Sequence, residues 1–347
     1  MPHKMKLEFE CMWKKVLTEK FNVIAVGKLF RQTTGGLVVG CEDGVIRLYH
    51  LPASSNVDAQ LQLKLCLETK GGPLQSLVLD DVTKFGSTDV ISGDSRGTVT
   101  IFCNGQILNR QSVSGYSVNC LQVDKNATGN LSIVCGDSGG NLNALLPYSQ
   151  VWKCQLGADS AQAATKSPSV KCLLAATLAS SSGQASNYVL AGDDCKMLHF
   201  LQQGTTVHRI QTPAVVTAMC CGQWLTKDEV DVADTRPGVV SQVALGGHDG
   251  SVYIMSNFQV HVIQYCNVLL PITQLSRLPS IHGDDLDLLL VAGHFSSVFL
   301  YHAKQLICKC EVPDWVNTMT VADIDHDGNE EVIVGCQDQT ICALKLR

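Results

Sequence analysis

Seven times along this chain a short apolar run ends in a glycine, a polar turn follows, and a second apolar run leaves it. The copies are Leu37-Val38-Val39-Gly40, Val90-Ile91-Ser92-Gly93, Ile133-Val134-Cys135-Gly136, Val189-Leu190-Ala191-Gly192, Val243-Ala244-Leu245-Gly246, Leu290-Val291-Ala292-Gly293 and Val332-Ile333-Val334-Gly335. Successive glycines stand 53, 43, 56, 54, 47 and 42 residues apart. Recurrence at that length marks propeller blades or related arrays.

Each copy expands into four strands, here lettered a to d, because an apolar stretch precedes every glycine-bearing strand b and two more follow it. Five of the ten prolines, Pro73, Pro168, Pro213, Pro271 and Pro313, stand just before a strand a. Proline lacks the amide hydrogen a central ladder needs, so it punctuates repeats at a strand entrance. Strand d is found for six copies only; the seventh stops after strand c at Arg347. Its missing strand lies at the other end of the chain, where Cys11-Met12-Trp13-Lys14-Lys15-Val16-Leu17 resembles strand d of the third copy, Val151-Trp152-Lys153-Cys154-Gln155-Leu156. The expectation is an all-β chain, a single seven-bladed β-propeller of four-stranded antiparallel blades over residues 1–347. A strand at about 9–18 completes blade seven and closes the ring, so that no edge is left unpaired. The blades span about 22–68, 73–112, 116–156, 168–211, 213–264, 271–312 and 314–347.

Composition narrows the function classes. The chain is 45% hydrophobic and 17% charged, enough for a large core. Its longest apolar runs, near Leu288 to Ala292, fall far short of the roughly 18 residues of a membrane-spanning helix, so no integral membrane segment is expected. The first ten residues hold no apolar stretch of secretory type. The sixteen cysteines therefore read as buried thiols of a reducing, cytoplasmic compartment, and the sequons at Asn126 and Asn130 read as chance. A net charge of -6, with no basic run longer than Lys14-Lys15, argues against nucleic acid as a partner.

No catalytic constellation stands out. Gly136-Asp137-Ser138-Gly139-Gly140 matches the nucleophile segment of trypsin-like proteases, but it lies in register with the b-to-c turns of the other blades and lacks its histidine context. The ten histidines show no metal-ligand spacing, and no phosphate-binding glycine motif is present. One stretch does carry chemistry: Asp323-Ile324-Asp325-His326-Asp327-Gly328-Asn329-Glu330-Glu331. Alternate acids, a glycine for the sharp turn and an acid at the ninth position suit calcium, with Asp323, Asp325, Asp327, Asn329 and Glu331 as candidate ligands. An EF-hand would need an acid at the twelfth position, which is Val334.

This acidic loop followed by Val332-Ile333-Val334-Gly335 resembles the FG-GAP repeat of integrin-alpha-type propellers. It is similar also to the related intracellular propellers of the Bardet-Biedl-syndrome proteins, kaptin and the integrin-alpha FG-GAP-repeat protein. The strand-b glycine recurs in all seven units, whereas only blade seven keeps the acidic loop in full. Blade three keeps a remnant, Asp124 to Gly129, and blade one, with Phe30 to Gly35, has none. The resemblance implies a subunit of an intracellular assembly of ciliary-trafficking or nutrient-signalling type, and calcium as a candidate ligand. WD repeats are the neighbouring family, but their strand-c Trp-Asp ending is absent.

Function in a propeller lives on its loops, because the strands build the scaffold. The a-to-b loop of blade five, Gly222 to Gln242, joins an aromatic to several acids. Trp224, Asp228, Glu229, Asp231 and Asp234 are the expected partner-binding residues, the ring as anchor and the acids steering a basic protein. The sequence thus points to a non-catalytic protein-interaction scaffold bound to other protein subunits. A calcium-dependent ligand-binding propeller and a propeller enzyme are the alternatives.

Overall fold

The computed structural model describes residues 7–30, 35–51, 61–126, 129–157, 167–179, 185–226, 229, 242–280 and 286–347. Among the described residues twenty-eight strands form seven four-stranded antiparallel sheets, and there is no helix. The chain is an all-β seven-bladed propeller, as the repeat predicts. In blade one, strand a is Phe21–Gly27, strand b Gly36–Cys41, strand c Val45–His50 and strand d Gln62–Glu68, hydrogen-bonded in that order. Blades two to six repeat the order over 74–112, 118–155, 170–211, 216–267 and 272–311. Blade seven takes strands a, b and c from Val316–Ala322, Glu331–Cys336 and Thr340–Leu346, and its fourth strand from Phe9–Val16 at the start of the chain. In that seam Trp13 lies opposite Ala343, and Glu8 and Arg347 exchange backbone hydrogen bonds of 2.9 and 3.0 Å.

Alternation along strand b decides which blades share a core. Val38 points into the cluster shared with blade two, while its neighbours Leu37 and Val39 point into the cluster shared with blade seven. The same rule gives seven apolar clusters, each between two adjacent blades. Strand b is buried on both faces, which is why it reads as an unbroken apolar run. Each fully buried Val, Leu or Ile contributes about 1.5–3 kcal/mol relative to exposure, so these cores, not the turns, hold the ring together.

The repeated glycine follows from the same packing. A β-carbon on Gly93 would stand 2.5 Å from Val118, on Gly136 2.7 Å from Val170, and on Gly246 2.7 Å from Ile272, each the first residue of the next blade's strand a. Gly293 is crowded instead by Pro271 and Ile272 of its own blade. Opposite each glycine strand a carries a bulge, as between Val118 and Cys120 or Val316 and Thr318, which lets the strand turn in towards the axis.

Candidate functional site

Near the ring axis five side chains of strand a join neighbouring blades. Ser76 Oγ donates to the Val118 carbonyl at 2.9 Å, Cys120 Sγ to Lys171 at 3.3 Å, Cys172 Sγ to Val216 at 3.2 Å and Gln274 Nε2 to Asn317 at 3.0 Å. Thr318 Oγ1 accepts from the Ile24 amide at 3.2 Å, which carries the same clasp across the seam. All five side chains occupy one register of strand a. Burial pushes the Cys120 thiol up to about 12 and raises Cys172 well above its ordinary value, so neither is poised as a nucleophile. All sixteen cysteines are free thiols. The protease-like segment is a turn: Asp137 Oδ1 accepts from the amides of Gly139 and Asn141 at 2.9 and 2.8 Å.

On the face carrying the a-to-b turns, the acidic loop of blade seven gathers its carboxylates. Oxygens of Asp323, Asp325 and Asp327 all lie within 4.8 Å of one another. The loop is wound by its own side chains, with Gly328 N donating to Asp323 at 3.1 Å, Asp327 N to Asp325 at 3.2 Å, and Ile324 N to Glu331 at 2.9 Å. Asn329 does not converge with the acids; its amide and Nδ2 both donate to Asp327, at 2.8 and 3.1 Å. Among the carboxylates stands a group the sequence reading left out. Lys345 Nζ is 2.5 Å from Asp325, 2.5 Å from Asp327 and 3.2 Å from Glu331. A calcium ion would need oxygens at 2.3–2.6 Å, so ammonium and divalent ion compete for one space. As it stands, the donor set does not fit a metal as well.

The blade-five loop departs from expectation at its anchor. Trp224 is 0% exposed and packs with Ala244, Leu289, Val291 and Tyr301 between blades five and six. A ring with no free surface offers a partner nothing, so Trp224 is a core residue and not a contact. Gln242 holds it there: its Oε1 accepts from the amides of Trp224 and Leu225, both at 2.8 Å, and its Nε2 donates to Leu225 O at 2.9 Å. The preceding residue is tied to blade six, Gln223 N donating to Asp287 at 2.7 Å, with Arg277 2.8 Å from the same carboxyl group. Glu229 pairs with Lys304 at 2.5 Å, and that bond holds its carboxyl below the usual range. Asp228, Asp231 and Asp234 lie outside the described residues.

On the opposite face, where strands d lead into strands a, large apolar side chains stand in water. Leu269 is 84% exposed, Leu270 47% and Trp315 52%. They are connected: His294 N donates to Pro271 O at 3.0 Å, and the His294 ring stacks on Trp315 with centroids 5.5 Å apart and planes 21° from parallel. The sequence reading passed over them because an apolar residue beside Pro271 or Pro313 looks like the start of a strand.

No family model matches the chain, and no curated protein matches it. Solved structures do. BBS1N in complex with ARL6DN aligns in two crystal structures with TM-scores of 0.68 and 0.71 at 13% and 12% identity, over 98% of this chain and 97% of that one. The WD40 beta propeller domain of Doa1 aligns with a TM-score of 0.66 at 14% identity, over 97% of each chain. At such identities the likeness is one of fold, and it extends over the whole ring.

Proposed function

We propose that this propeller is a non-catalytic scaffold that binds other proteins as a subunit of an intracellular assembly. The observation that carries it is the contrast between axis and rim. Five side chains of the innermost strands, from Ser76 to Thr318, are tied to the neighbouring blade, whereas Leu269, Leu270 and the His294–Trp315 stack face solvent. Exposed aromatic side chains such as Trp315 are what interface hot spots bury, and apolar side chains clustered on a surface mark interaction sites. The whole-ring likeness to BBS1N, solved in complex with ARL6DN, supports a partner-binding role. Sixteen free thiols support a reducing compartment. The acidic loop of blade seven supports an FG-GAP-type ancestry, and with it a trafficking or nutrient-signalling assembly.

The test is affinity purification with quantitative mass spectrometry of the wild type, of L269S/L270S/W315A, and of a chain lacking residues 230–237. Thermal melts of each check the fold. The reading expects the triple variant to lose specific partners that the wild type retains. Loss only in the deletion would move the interface to the a-to-b face. Partner sets unchanged in both folded variants would remove the scaffold reading.

A further inference from the structure

The acidic loop and Lys345 belong together for a reason written in the strand register. In blade seven Val332 pairs with Leu344, so Glu331 and Lys345 follow each other across strands b and c. Strand c is itself covered by the N-terminal strand, Glu10 opposite Lys345. Glu331 is wholly buried and Lys345 partly so, its side chain 12% exposed. A carboxylate taken out of water is costly unless it is paired and hydrogen-bonded. Glu331 meets that condition with the Ile324 amide on one oxygen and the Lys345 ammonium near the other. Asp325 and Asp327 hold the same ammonium from the solvent side at 2.5 Å each.

We propose that Lys345 is the built-in cation of the blade-seven loop, standing where a loop of this acidic pattern otherwise takes a divalent ion. Two distances carry the assignment. Oxygens bound to one calcium ion can be no further apart than about twice 2.4 Å, and those of Asp323, Asp325 and Asp327 lie within 4.8 Å. The Lys345 nitrogen lies from Asp325 and Asp327 at the distance of a calcium–oxygen bond. The loop of this chain is therefore ordered without metal, and removal of the ammonium leaves a site that calcium fills.

The experiment is thermal unfolding of wild type, K345M and K345R in EDTA and in millimolar calcium chloride, with calorimetric titration of calcium into each. Methionine keeps the buried stem and removes the charge. Wild type and K345R are expected to melt alike in both solutions and to give no binding heat. K345M is expected to melt lower in EDTA and to recover several degrees in calcium, because a ligand bound only by the folded state stabilises it by mass action. Calcium heat or a calcium-raised melting temperature in the wild type overturns the proposal. So does a folded K345M indifferent to calcium. Should K345M fail to fold, titration of wild type and K345R decides it: heat in either overturns the proposal, and none in both sustains it.

Discussion

Phe21 lies so close to Gly335 that a β-carbon on the glycine would come within 2.6 Å of its ring and within 2.7 Å of Thr318. Phe21 opens blade one and Gly335 lies in strand b of blade seven, so this contact joins the first and last repeats. Gly335→Val forces one of these neighbours to move. Overpacking of this kind costs about 1–3 kcal/mol, to be read as a lowered urea midpoint. A variant as stable as the wild type would mean that the two blades do not pack at this seam.

Closure also depends on the N-terminal strand. Trp13 is completely buried in the cluster shared by blades seven and one, and its strand satisfies one edge of Thr340–Leu346 from Phe9↔Leu346 to Val16↔Thr340. A chain lacking residues 1–17 exposes that edge and empties the Trp13 site. The expected outcome is aggregation or a broad, uncooperative melt. Trp13→Ala alone is expected to cost about 3–5 kcal/mol.

Thiol labelling reports on the axis. Cys120 and Cys172 are hydrogen-bonded to the next blade, and burial holds Cys120 near 12 and Cys172 well above the ordinary thiol value. At pH 8 almost none of either is thiolate, the form that reacts. Iodoacetamide under native conditions should modify exposed Cys66 and leave Cys120 and Cys172 untouched until urea unfolds the ring. Mass spectrometry of the labelled peptides checks this; early labelling of Cys172 would contradict the inter-blade clasp.

The repeat was legible because close packing imposes it. Where the next blade's first residue presses on strand b, as Val118 does on Gly93, no side chain fits, and the glycine recurs in sequence as it does in space. Strand d of blade seven was legible for a related reason, since Trp13 and Trp152 occupy like positions in outer strands. Trp224 was misread because an aromatic between polar neighbours looks the same whether the ring turns outward or inward. What turns it inward is Gln242, eighteen residues on. Lys345 was missed because its partners lie across a hairpin, and only the Val332–Leu344 register brings them together.

Acid should weaken the fold through carboxylates held below their usual range. Asp43 is lowered by its two hydrogen bonds from Arg47, at 3.1 and 2.6 Å, and Glu229 by Lys304. For such groups the stabilisation is present above the unfolded carboxylate value of about 4 and is lost as pH falls through the lower folded value. Glu331 and Asp124, raised by burial, act in the opposite sense and are relieved by protonation. Asp43 is partly in water, so its share is about 0.2–1 kcal/mol. Urea midpoints measured from pH 6 down to pH 2.5 should decline, and Asp43→Asn should flatten part of that slope while lowering stability at neutral pH. An unchanged slope would show that the Arg47 pair contributes nothing.

Gln242 is the residue whose loss should be most informative for the blade-five loop. Its carboxamide satisfies two buried amides and one buried carbonyl of Trp224 and Leu225. Gln242→Ala leaves the two amides without that partner, and each buried group so orphaned costs about 1–3 kcal/mol, whereas the Leu225 carbonyl keeps the donor Gln223 Nε2 at 2.8 Å. Gln242→Glu keeps the acceptor for the two amides but sets a carboxylate against the Leu225 carbonyl, so it too should destabilise. Both variants should lower the melting temperature, and hydrogen exchange should rise at Trp224 and Leu225 before it rises in the strands of blade two. Tryptophan emission should shift red as the Trp224 ring leaves its site between blades five and six. A Gln242→Ala protein with unshifted emission and wild-type stability would show that the ring is held by packing alone.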